Sequence, residues 1–96
     1  MEFEWDGGNL LKSLAKHGIN REQSEQVFLS RYVLEIDESH SSGEIRFKLV
    51  GKAGPGKILY IVFTTRANKI RIISARTADK RERDLYEEKT QENTKI

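Results

Sequence analysis

Ninety-six residues without a cysteine suit one domain with a modest core, and they leave no disulfide, thiolate metal site or thiol nucleophile. No apolar run approaches the ~20 residues of a membrane span, and the acidic start MEFEWD does not read as a secretion signal, so a cytoplasmic protein is expected. The net charge of +2 is unevenly spread: residues 1–45 hold four Lys/Arg against nine Asp/Glu (−5), residues 46–83 eleven against two (+9), and residues 84–96 two against four (−2). A basic middle of this size sets up the kind of field that attracts nucleic acid, although scattered cations also serve as a solvated surface.

In chain order, Phe3 and Trp5 alternate with Glu2, Glu4 and Asp6, which predicts a short strand with one buried face. Asp6 or Asn9 can cap a helix running to about His17, with Leu10, Leu11 and Leu14 as its inward stripe. Gly18 ends it as a left-handed C-cap, and Lys16 and His17 occupy the last turn, where the dipole favours positive charge. Asn20 and Gln23 form a capping box for a second helix that contributes Val27, Phe28 and Leu29 to the core.

Val33 to Asp37 alternates, with Leu34 and Ile36 on one face, and the polar loop ESHSSG follows. Ile45, Phe47 and Leu49 then point one way and Arg46 and Lys48 the other. After the loop GKAGPGK, the run ILYIVFT is apolar on both faces and is expected at the centre of the sheet. A tight connection at Ala67–Asn68 leads into KIRIISAR, a strand whose Ile70, Ile72 and Ile73 carry Arg71 and Arg76 between them.

Asp79 and Glu82 make a second capping box, and Leu85 and Tyr86 anchor the helix that follows. Lys80, Arg81 and Arg83 crowd its first turns, where each cation costs about 0.3–1 kcal/mol against the dipole, so an anionic partner is expected there. The chain beyond Lys89 is expected to be a polar, disordered tail, leaving one domain over residues 1–89. The resulting order, β-α-α-β-β-β-β-α, predicts an α+β fold: an antiparallel sheet with its helices gathered on one side.

Several chemistries fall away. GKAGPGK lacks the GK[ST] ending of a phosphate loop and precedes a strand. His17 and His40 stand in no metal-ligand spacing, the Asp37–Glu38–His40 segment reads as a hairpin loop, and no Ser/His/Asp set can be assembled. Neither a metal nor a cofactor is expected.

A cationic set remains: Lys16, His17, Arg46, Lys48, Arg71, Arg76, Lys80, Arg81 and Arg83, with Tyr86. Such a set suits RNA cleavage without metal. The 2′-hydroxyl is the nucleophile, arginine forks match the phosphate oxygens, and His17 or Tyr86 is a candidate to move the proton. Arg71, Arg76 and Arg83, with His17 and Tyr86, are the catalytic candidates; Lys16, Arg46, Lys48, Lys80 and Arg81 are the RNA-binding ones. Helix capping alone also accounts for Lys16-His17-Gly18, and Arg81 and Arg83 have Glu82 and Glu87 as alternative partners.

FEWD near the start, KHG at 16–18, VF at 27–28, LEID at 34–37 and RIISAR…A…ER..YE at 71–87 together resemble the BrnT family, toxins of bacterial BrnT/BrnA type II toxin–antitoxin pairs. The resemblance spans about residues 2–88 and implies a RelE-like fold and a metal-independent ribonuclease that inhibits translation. It further implies a BrnA-like antitoxin with a ribbon-helix-helix DNA-binding end, joined to the toxin in a heterotetramer that represses its own operon. Asn9 and Ser13 stand where members usually carry Lys and Asn, with Lys12 nearby, and Arg21 stands in place of an aromatic. The Asn9 and Ser13 replacements favour the alternative of a non-catalytic RNA- or protein-binding module on the same scaffold. The block with Arg71, Arg76, Glu82, Arg83 and Tyr86 is intact and favours the ribonuclease.

Overall fold

The run ILYIVFT lies in β4 (Ile58–Arg66), the middle strand of a five-stranded sheet, as its two apolar faces predict. A computed structural model of the chain describes residues 2–5, 8, 12, 16, 18–38 and 43–94, with side chains described to Thr90. The other strands are β1 (Glu2–Trp5), β2 (Tyr32–Ile36), β3 (Phe47–Lys52) and β5 (Lys69–Thr77), in the spatial order β1-β5-β4-β3-β2. Two helices are present among the described residues, α1 (Arg21–Val27) and α2 (Lys80–Thr94). The expected first helix with Leu10, Leu11, Leu14 and His17 lies outside the described residues, apart from positions 8, 12 and 16, which are helical. His40 also lies outside them. α2 continues past Lys89, where the polar tail was expected to begin. No helix among the described residues is long and apolar enough to cross a membrane.

The local signals act as their chemistry dictates. Gly18 takes φ +64°, a left-handed stop that a side chain would strain. Asn20 Oδ1 accepts from Gln23 N at 2.8 Å while Gln23 Oε1 accepts from Asn20 N at 3.0 Å, and Asp79 and Glu82 repeat the reciprocal pair at 2.8 and 2.9 Å. Ala67 and Asn68 both have positive φ, the two-residue turn whose twist suits a hairpin between β4 and β5.

Two expectations are corrected. β2 to β5 are antiparallel, but β1 runs parallel to β5, with Phe3 opposite Ile70 and Trp5 opposite Ile72. The long connection from β1 to β2 is what permits a parallel edge strand; the pairing joins opposite ends of the chain, so local spacing gives no sign of it. The helices also cover opposite faces. Leu49 pairs with Ile61 on the face where Ile19, Val27 and Phe28 pack, whereas Val50 pairs with Tyr60 on the face where Ala78 and Tyr86 pack.

On the first face Ile19, Val27, Leu59, Ile61 and Ile72 are fully buried, each contributing about 1.5–3 kcal/mol relative to exposure. Phe28 sits edge-on between Phe3 and Phe63, with ring centroids 5.2 and 5.1 Å away. Gly51 lets the helix approach, since a Cβ there would lie 2.7 Å from Val27 Cγ1. Leu29, expected in the core, is 82 % exposed. Leu34 and Ile36 do share a face, but their strand is the sheet's outer edge and both remain exposed.

Candidate nucleic-acid interface

Arg71 and Arg76 are five residues apart, a spacing that puts them on opposite faces of a regular strand. The structure brings them to the same face. Arg76 pairs with Tyr60 and Ser74 with Val62, but the register then shifts, so that Ile72 pairs with Phe63 and Arg71 with Thr64. Ile73 is the extra residue of a β-bulge. Tyr60, Val62 and Thr64 alternate along one strand, so their partners Arg76, Ser74 and Arg71 share one face. The same shift turns Ile72 inward, where it is fully buried.

α2 covers only the end of this face that holds Val50, Ile58 and Tyr60. Past the bulge, a cleft of about 200 Å³ is lined by Glu44, Arg46, Thr64, Arg66, Arg71 and Ile73. Thr64 is buried and donates its hydroxyl to Ile45 O at 2.7 Å. Arg66 grips Glu44 through Nε at 2.7 Å and Nη2 at 2.6 Å. That hydrogen bonding holds the Glu44 carboxyl below its ordinary range against the opposing desolvation, with the charges of Arg66, Arg71 and Arg46 adding smaller pulls in the same direction. Arg71 Nη1 lies 3.5 Å from Glu4 Oε1. The cleft thus sets three arginines around one carboxylate.

A second cleft of about 320 Å³ opens under the start of α2, lined by Val33, Glu35, Lys48, Val50, Tyr60, Asp79, Arg81, Glu82 and Leu85. Arg76 stands beside it, its Nη1 and Nη2 each 2.7 Å from a Glu82 oxygen and its guanidinium carbon 4.1 Å from the centre of the Tyr60 ring. The bidentate bond raises the Arg76 pKa, and burial raises that of the Tyr60 phenol. Nη1 also donates to Thr77 O at 3.3 Å, which leaves Nε–H and one Nη2 hydrogen of Arg76 outside these bonds. Lys48 Nζ lies 3.9 Å from the buried Asp37.

The structure therefore gathers Arg46, Arg66 and Arg71 in one cleft and Lys48 and Arg81 in the next, with Arg76 alongside. It does not bring Tyr86 to them. Tyr86 is 5 % exposed and its hydroxyl donates to Arg31 O at 3.0 Å, with burial raising its pKa. This phenol ties α2 to the chain entering β2, and it lines neither cleft. Arg83 is exposed and lines neither cleft, and Lys80 pairs with Asp84 at 3.0 Å. Lys16 is exposed and His17 lies outside the described residues.

Arg66, Glu44, Tyr60 and Glu35 were missed by the sequence reading. Arg66 was within reach of it: the Ala67–Asn68 turn places Arg66 opposite Lys69, and alternation then puts it with Thr64. Among the described residues no group of three His, Cys, Asp or Glu side chains is gathered as for a metal ion.

The sequence matches, over residues 5–82, the family model described as the ribonuclease toxin BrnT of type II toxin–antitoxin systems. No curated protein matches it. Among solved structures, the crystal structure of the Brucella abortus ribonuclease toxin BrnT is similar, with a TM-score of 0.63 and 22 % identity over 83 % of this chain and 99 % of that one. At that identity the likeness speaks for the fold.

Proposed function

Because the chain belongs to the BrnT family of ribonuclease toxins of type II toxin–antitoxin systems, we propose that it is a cytoplasmic endoribonuclease that works without a metal ion and stops translation. The observation that carries this reading is the bulge that sets Arg71 and Arg76 on one face. RNA lies across that face with a phosphate over the Arg46–Arg66–Arg71 cleft, displacing the Glu44 carboxylate. The 2′-hydroxyl loses its proton and attacks the neighbouring phosphorus, the bond to the 5′-oxygen breaks, that oxygen takes a proton from water to leave as a 5′-hydroxyl, and a 2′,3′-cyclic phosphate forms. Arg71 and Arg46 stabilise the extra charge on the phosphorane oxygens, and Arg76, oriented by Glu82, adds its remaining N–H donors. His17 is the proposed proton acceptor. The RelE-like placement of the fold belongs to the same reading, supported by the antiparallel β2–β5 meander with a helix against it.

The proposed partner is a BrnA-like antitoxin with a ribbon-helix-helix end, joined in a heterotetramer that represses its operon. Uncovered, a cationic face of this kind would act on cellular RNA, and an acidic segment of the antitoxin would occlude it. The alternative is a non-catalytic RNA-binding module; what favours it is that Glu4, Glu44 and Glu82 already engage the arginines. The test incubates the purified full chain with a defined single-stranded RNA, with and without EDTA, and examines the product ends. Cleavage unaffected by EDTA, leaving cyclic phosphate, is expected. RNA binding with no cleavage selects the alternative, and loss of cleavage in EDTA overturns metal independence.

A further inference from the structure

The second cleft differs in character from the arginine cleft beside it. Val33, Val50 and Leu85 give it apolar walls, and the Tyr60 ring supplies an aromatic surface already stacked by a guanidinium on one side. Opposite charges stand at its rim without meeting. Neither Glu35, on the edge strand β2, nor Arg81, in the first turn of α2, has an ion-pair partner among the described residues. Lys48 faces Glu35 across the β2–β3 pair but is drawn towards Asp37. A flat ligand with apolar faces and an edge offering both donors and acceptors fits such a cleft. Arg46 and Lys48, two residues apart, place it roughly 7 Å from the arginine cleft by the rise of an extended chain, which is within the reach of one nucleotide.

We propose that this cleft holds a base of the RNA and selects guanine, an inference that rests on the ribonuclease reading for its RNA. Protein sites for single-stranded RNA read unstacked bases through aromatic or arginine planes and through hydrogen bonds to base edges. A carboxylate is acceptor-only, and its two oxygens are best met by two adjacent donors. Guanine alone among the four bases presents such a pair, N1–H and the N2 amino group, to Glu35. Its O6 and N7 acceptors then turn towards a cation, the role of Arg81. Adenine offers one donor beside an acceptor and leaves half the carboxylate unmet.

The test measures fluorescence anisotropy of the full chain with non-cleavable 2′-O-methyl oligonucleotides of uridine that carry one central guanosine, inosine or adenosine. Guanosine should bind at least about tenfold more tightly than adenosine, with inosine, which lacks the N2 amino group, in between. Glu35→Gln should abolish the preference while leaving adenosine binding at least as strong. Glu22→Gln, which removes an equal charge from α1, should retain the preference. Equal binding of all three oligonucleotides, or a guanine preference that survives Glu35→Gln, overturns the base site. Because no cleavage is read, a protein that binds guanine selectively but does not cut RNA overturns only the ribonuclease reading. Binding of none of the oligonucleotides overturns both.

Discussion

Glu44 sits where a phosphate belongs in the proposed complex, held by Arg66 and within the field of Arg46 and Arg71. Both partners of that pair are about half exposed, so the bond is weak enough for a phosphate to replace it. Glu44→Gln should therefore tighten RNA binding severalfold. Glu22→Gln, the same charge change away from the cleft, should have a clearly smaller effect; equal effects would mean that Glu44 does not compete with RNA. Tyr86 makes the opposite point. Its hydroxyl is spent on the Arg31 carbonyl, so Tyr86→Phe should lower unfolding stability by about 1 kcal/mol in urea titration and leave the cleavage rate alone. A large loss of cleavage with unchanged stability would return Tyr86 to the chemistry.

At the scale of elements, what the sequence made legible was what neighbours decide. Both capping boxes, the left-handed Gly18, the Ala67–Asn68 turn and the doubly apolar β4 depend on residues within four positions of one another. The parallel β1–β5 pair and the two-sided arrangement of helices depend on contacts across the whole chain, and no period announces them. The bulge at Ile73 was hidden for another reason: one extra residue in an apolar strand leaves composition unchanged while reversing the face of everything beyond it. The cationic set was legible as a list, but which arginines meet was not. The close approach of α1 to β3 at Gly51 supplies a test of the fold itself. Gly51→Ala places a methyl group 2.7 Å from Val27 Cγ1 and should destabilise by about 1–3 kcal/mol through overpacking. A neutral result would show that the helix yields easily there.

For the whole molecule, the +9 segment of the sequence is not spread evenly in space: several of its cations converge on the part of one sheet face that α2 leaves open. On the proposed function, substrate and antitoxin compete for that surface, and an antitoxin that wraps it should bury more than ~1,600 Å² in total. Arg71→Glu should weaken cleavage and antitoxin co-purification together; a variant that loses cleavage but keeps full antitoxin affinity would separate the two surfaces. The central claim is that the bulged strand aims Arg71 at the reacting phosphate. Its most direct measurement is the single-turnover cleavage rate of Arg71→Ala, folded as judged by circular dichroism, against the unaltered chain in EDTA. Loss of a transition-state contact predicts a fall of at least about a hundredfold. A folded Arg71→Ala protein that cuts RNA at the unaltered rate would contradict the account.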